Sequence, residues 1–138
     1  MVLSTAQIAS YMHDFWLHLK MIFNLVDRYV LSRDFPKNDA DFIKRRLLVI
    51  KGHLRTLMTK EVWLTENAIH SAITTGQVIL TEENIKKFID DVRLELQQID
   101  DCIDLLKNQH KILPAVRKIL KRLTSNIDVL LQLVSEST

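Results

Sequence analysis

The chain has 138 residues, of which 47% are hydrophobic and 26% are charged, and its formal net charge is +2. A chain of this length buries roughly two-thirds of its unfolded surface, so it needs no metal or disulfide to fold. Only two glycines and two prolines are present, which excludes a β-rich fold with many tight turns. We expect one all-α domain spanning residues 1–138.

The first predicted helix covers residues 5–31, with Ser4 and Gln7 at the spacing of a capping box. Apolar residues that recur every three or four positions share one face of a helix and predict its buried stripe. That stripe comprises Ile8, Met12, Phe15, Leu19, Ile22, Phe23 and Val26.

Two segments follow. The second helix is predicted at about residues 39–58, with Asn38 or Asp39 as its N-cap, and the third at about 60–75, ending before Gly76. Together they exceed the other helices in length, so we expect a kink or break between them. The inner stripe of the second helix comprises Ile43, Leu47, Ile50, Leu54 and Leu57.

The fourth helix begins after Thr81, its predicted N-cap, and the fifth begins near Pro114. Long amphipathic helices with short connections predict an antiparallel up-and-down helical bundle of four long helices plus one shorter or kinked segment. The fourth helix carries a heptad seam of Ile85, Ile89, Val92, Leu96, Ile99, Ile103 and Leu106. The fifth carries Val116, Ile119, Leu123, Ile127, Leu130 and Val134.

A second apolar line on the first helix comprises Leu17, Met21 and Leu25, which lie four residues apart and away from the buried stripe. A helix that is apolar nearly all round is either central in its fold or covered by a partner. Two interpretations remain open: the third helix covers this line, or the line binds a second copy or another protein.

The charges are segregated along the chain. Residues 33–60 contain eight basic and three acidic side chains, residues 81–110 contain four and eight, and residues 111–122 contain five and none. The basic stretches either pair with the acidic fourth helix or bind phosphates or an acidic protein. With a pI of 8.7 and no well-placed exposed aromatic in either stretch, nucleic acid is possible but not favoured. The basic faces comprise Lys44, Lys51, Arg55, Arg117, Lys118, Lys121 and Arg122.

Two acid–histidine pairs are weak metal candidates: Asp14 with His18, and Glu66 with His70. Spacing of four places each pair on one helical face, so two facing pairs could supply two imidazoles and two carboxylates. The chain lacks the Glu-x-x-His pairs of di-iron bundles. We therefore expect no metal and no cofactor.

Cys102 is the only cysteine, so no disulfide can form within the chain, as is usual in a reducing compartment. Its acidic neighbours Asp100, Asp101 and Asp104 should raise its pKa and disfavour a reactive thiolate. The first fifteen residues include Asp14 and do not resemble a signal peptide. No apolar run approaches the ~18 residues of a membrane span. We expect a cytoplasmic protein without a membrane span.

Arg46 and His53 are separated by six residues, and this spacing resembles the Arg-x(4–6)-His signature of the HEPN superfamily. The resemblance covers these two residues. It implies a small all-α domain that often dimerises and that in some members cleaves RNA.

No nucleophile elbow, phosphate-binding glycine loop, Cys-x-x-Cys or His-Glu-x-x-His motif is present. The sequence therefore favours a non-enzymatic protein–protein interaction or oligomerisation module, either a homodimer or bound to a larger partner. The alternative is a nucleic-acid-binding or HEPN-like RNA-processing domain that uses the basic faces of residues 44–55 and 117–122.

Overall fold

The computed structural model describes residues 5–31, 37–57, 63–78, 81–105 and 113–136, which contain five helices and no strand. The helices are α1 (Thr5–Leu31), α2 (Lys37–Leu57), α3 (Glu66–Thr74), α4 (Glu82–Leu105) and α5 (Leu113–Glu136). The predicted all-α fold class is confirmed. Within the described ranges, no helix has the length and apolarity needed to cross a membrane.

The four long helices form a ring in which α1 and α4 each contact both α2 and α5, while α3 packs against α1. Between α2 and α4, Arg46 lies beside Glu95 and the later His53 lies beside the earlier Asp91, so these helices are antiparallel. The same reversal relates α4 to α5. There the paired residues are Arg93 with Asp128 and Arg117 with Asp104.

The predicted apolar stripes line the inside of this ring. The rings of Phe15 on α1 and Phe88 on α4 meet edge to face across its centre, with centroids 5.7 Å apart. Burial of each large apolar side chain stabilises the fold by about 1.5–3 kcal/mol. The fully buried side chains include Met12, Ile22, Ile43, Leu47, Ile50, Leu54, Ile89, Ile99, Ile103 and Leu123.

Two helix ends follow the sequence prediction. The Asn84 amide donates a 3.1 Å hydrogen bond to the Thr81 hydroxyl, which confirms Thr81 as the N-cap of α4. Gly76 has a φ of +76°, and its amide donates to the Ile73 carbonyl at 3.2 Å. This left-handed residue closes the C-terminus of α3, where glycine has no Cβ penalty.

Two helix starts differ from prediction. The N-cap assignment of Asn38 or Asp39 is wrong, because α2 begins at Lys37 and both residues lie inside its first turn. Acidic and amide side chains suit the first turn as well as the cap, so composition does not separate the positions.

The capping-box residue Ser4, the seam residue Leu106 and the Val134 side chain lie outside the described residues.

The third helix is shorter than predicted, because it begins at Glu66 rather than near residue 60. Thr65 has extended backbone angles, and its hydroxyl accepts a 3.0 Å hydrogen bond from the Ala68 amide. An extended residue with a hydroxyl in this position is a helix N-cap. The predicted break is confirmed, since α2 ends at Leu57 and α3 is a separate helix.

Candidate interaction surface

The outer line of α1 consists of Leu17, Met21 and Leu25. Leu17 is 42% exposed and Met21 is 47% exposed, whereas Leu25 is half-buried against the core. The third helix packs against α1 without covering Leu17 or Met21. Two large apolar side chains one turn apart are therefore left in solvent on the longest helix of the bundle.

The position of α3 follows from an aromatic contact just before it. Trp63 is buried, and its ring packs on that of Trp16 with centroids 4.8 Å apart. The His13 ring nitrogen Nδ1 lies 3.1 Å from the Trp63 carbonyl oxygen. Successive residues on a helix point about 100° apart. The segment leading into α3 is thus held on the Trp16 side of α1, and Leu17 points away from it.

Two charged residues flank the outer line symmetrically. Asp14 lies seven positions before Met21, and Arg28 lies seven positions after it. Asp14 is half-buried and Arg28 is exposed. Neither side chain forms an ion pair with another described residue.

The α1–α2 groove is a second surface, and it joins basic residues to aromatic rings. The ammonium groups of Lys20 and Lys51 lie 5.8 and 5.5 Å from the centroid of the Trp16 ring. Lys44 lies 5.6 Å from the Phe23 ring centroid and pairs with Asp27. The groove contains a cavity of about 240 Å³. It is lined by Trp16, Leu19, Lys20, Phe23, Asn24, Leu47, Leu48 and Lys51.

This groove places two of the predicted basic residues of α2, Lys44 and Lys51, beside aromatic residues of α1. The sequence expectation concerned aromatic residues within the basic stretches themselves, and these two rings lie outside them. The aromatic rings come from a different helix, 21 positions earlier in the chain for Lys44 and 35 positions earlier for Lys51, so only the packing reveals them. Arg55 is exposed one turn beyond Lys51.

The basic residues of α5 divide into paired and exposed groups. Arg117 pairs with Asp104 of α4 at 3.0 Å. Lys118, Lys121 and Arg122 are exposed and form no ion pair with any residue in the described ranges. Of the four basic residues of α5, the first forms an ion pair with α4, and the other three are exposed to solvent.

The two residues that resemble the HEPN signature both face α4. The Arg46 guanidinium donates to the Glu95 carboxylate at 3.2 Å and to the Gln98 side-chain oxygen at 3.1 Å. The His53 Nδ1 atom lies 3.7 Å from the Asp91 carboxylate. Arg46 and His53 lie two turns apart on α2, and each contacts a different carboxylate of α4. Both side chains therefore link α2 to α4.

The metal candidates are not gathered into a site. Asp14 and His18 are half-buried on α1, whereas Glu66 and His70 are exposed on α3. Within the described ranges, no three His, Cys, Asp or Glu side chains form a group that could hold a metal ion. The His18 Nδ1 atom is buried and has no hydrogen-bond partner among the described residues.

Cys102 is half-buried on α4 beside the start of α2. Burial raises the pKa of the Cys102 thiol, and the nearby Asp39 carboxylate raises it further. The predicted direction is confirmed, but its predicted cause is not, since the dominant effects are desolvation and a carboxylate of another helix. A raised pKa keeps the thiol protonated and weakly nucleophilic.

Comparisons of the chain with protein-family models, with curated proteins and with solved structures find no match.

Proposed function

We propose that this protein is a non-enzymatic interaction module that self-associates through the outer line of α1. The observation that carries the proposal is the exposure of Leu17 and Met21, which lie one turn apart on the longest helix. Contiguous apolar surface bordered by polar residues is characteristic of protein–protein contacts. Arg28 and Asn24 supply such a border on α1.

The expected affinity follows from the area left exposed. Full burial of a leucine or methionine side chain contributes about 1.5–3 kcal/mol, so burial of the exposed half of Leu17 or Met21 contributes about 1 kcal/mol. Four such side chains meet in a dimer of identical chains. This gain is offset by the entropy lost on association. We therefore expect a concentration-dependent equilibrium between monomer and dimer.

Sedimentation velocity over a concentration series tests the proposal. The wild type should shift from monomer to dimer, and Leu17→Glu or Met21→Glu should remove the shift, because each introduces a charge into both halves of the contact. Leu94→Glu is the matched control, since Leu94 is 60% exposed on α4. Circular dichroism checks that every variant keeps the helical content of the wild type.

A wild type that stays monomeric at the highest attainable concentration would contradict the proposal. Equal effects of Leu17→Glu and Leu94→Glu would also contradict it, because the outer line would then be no different from any other exposed leucine.

The α1–α2 groove supports a second candidate function, the binding of single-stranded nucleic acid. Lysines beside aromatic rings are typical of proteins that bind such strands. Here Lys20 and Lys51 border the Trp16 ring. The packing of Trp63 against Trp16 limits base stacking on that ring, which is why this function ranks second.

Fluorescence anisotropy with a labelled oligo-uridine tests this second function. Binding should weaken steeply as salt rises, because phosphate contacts release counterions. Lys20→Glu with Lys51→Glu should weaken it more than Lys118→Glu with Arg122→Glu, which alters the exposed face of α5. Absence of binding at low salt would eliminate the candidate.

A further inference from the structure

We infer that two copies pair through α1 in antiparallel orientation, with a two-fold axis passing beside Met21. The inference rests on the proposed self-association and specifies its geometry. An interface related by a two-fold axis brings the same patch of both chains together, so that patch must be complementary to itself.

The apolar residues meet this requirement. Leu17 and Leu25 lie four positions on either side of Met21. In the antiparallel arrangement Met21 therefore packs on its own copy, and Leu17 of each chain faces Leu25 of the other. The exposed side chains Leu17 and Met21 become covered on both chains. The half-buried Leu25 supplies a surface continuous with the core of each bundle.

The charged residues meet it as well. Asp14 and Arg28 lie seven positions on either side of Met21, so each carboxylate faces the guanidinium of the other chain at both ends of the contact. Parallel pairing would instead place Asp14 on Asp14 and Arg28 on Arg28. Neither residue has an ion-pair partner among the described residues of its own chain. Charge complementarity thus selects a second copy in antiparallel orientation as the occupant.

The spacing also suits packing between helices. Asp14, Leu17, Met21, Leu25 and Arg28 follow one another at intervals of three or four, so they form one seam. Fourteen residues of helix span about 21 Å. Such a seam packs against its copy at a small crossing angle, as between the long helices within the bundle.

A charge-reversal cycle tests the geometry. Asp14→Arg and Arg28→Asp each convert two attractive contacts into two repulsive ones in an antiparallel dimer. Each should weaken dimerisation roughly five- to thirty-fold at low salt. The double variant restores both contacts with reversed sign, and its dissociation constant should return to within about three-fold of the wild type. Asp90→Arg is the control, because Asp90 is exposed on α4.

The outcomes separate this inference from the proposed function. A double variant that dimerises no better than the weaker single variant would overturn the antiparallel register. If Leu17→Glu still abolished dimerisation in that case, self-association through α1 would stand. Failure of the wild type to dimerise at all would contradict the proposed function instead.

Discussion

Two regions of the molecule contain the same kinds of side chain. In the interface between α2 and α4 these side chains are buried and paired, whereas on the outer line of α1 they are exposed or lack an ion-pair partner among the described residues. Between α2 and α4, Ile50 and Ile99 are fully buried, and Arg46 pairs with Glu95 at the border. On the outer line, Leu17 and Met21 remain exposed. Asp14 and Arg28 at its two ends form no ion pair with other described residues.

This difference shows that the described helices bury their own core and leave the outer line of α1 without a covering helix. Apolar residues bordered by opposite charges make a complete interface where α2 meets α4. The outer line of α1 also combines apolar residues with a charged residue of each sign at its ends, but no described helix faces it. The proposed self-association would supply the missing half from a second copy of α1.

The largest expected difference between the two regions concerns core packing. Ile99→Ala should lower the free energy of unfolding by about 2–5 kcal/mol, because it removes buried methyl groups and leaves a cavity. Urea denaturation followed by circular dichroism measures this change. A loss below 1 kcal/mol would mean that the α2–α4 interface is less tightly packed than its burial indicates.

The charged border of the α2–α4 interface should give the next largest effect. Glu95 is the only buried charged side chain in the described ranges, and its removal leaves the Arg46 guanidinium without its carboxylate. Glu95→Ala should therefore cost about 1–3 kcal/mol. Asp128→Ala breaks the half-exposed pair with Arg93 and should cost less than about 1 kcal/mol. Equal losses in urea denaturation would contradict this ranking.

The thiol at the edge of the same interface gives a smaller and purely local effect. Burial and Asp39 raise the pKa of Cys102, so less thiolate is present below that pKa in the folded protein than in the unfolded chain. Alkylation by iodoacetamide, followed by mass spectrometry, should be slower in the folded protein. Asp39→Asn should speed it by removing a negative charge. An unchanged rate in Asp39→Asn would show that burial alone controls the thiol.

The smallest effect belongs to the outer line itself. Leu17→Ala should change the stability of the dilute monomer by no more than about 0.5 kcal/mol, because exposed side chains contribute little to folding. Urea denaturation at low protein concentration measures this. A loss comparable to that of Ile99→Ala would place Leu17 in the core and remove the contrast between the two regions.

The long helices could be predicted from the sequence, because apolar spacing reports directly on which residues share a face. The seam of α4, the Thr81 cap and Gly76 all belong to this kind of local information. The start of α2 could not, since Asn38 and Asp39 are acceptable both at the cap and in the first turn. The start of α3 depends on the extended backbone of Thr65, which composition does not reveal.

The candidate surface could be predicted only in part. The spacing of Leu17, Met21 and Leu25 identifies a second apolar line. Its exposure depends on where α3 packs, and that depends on the contact between Trp16 and Trp63, which are distant in the chain. The pairing of Arg46 with Glu95 and the α1–α2 groove likewise require the register between helices. Sequence periodicity shows which residues share one face of a helix, whereas only the packed structure shows which faces of different helices are in contact.

Disulfide cross-linking tests the α1 surface most directly. In a Cys102→Ser background, Met21→Cys places one thiol per chain beside the inferred two-fold axis, and Leu94→Cys places one at a more exposed position on α4. Under mild oxidation, Met21→Cys should form a covalent dimer much faster than Leu94→Cys, because a disulfide needs Cα atoms within about 7 Å. Equal or slower cross-linking of Met21→Cys would contradict self-association through the outer line of α1.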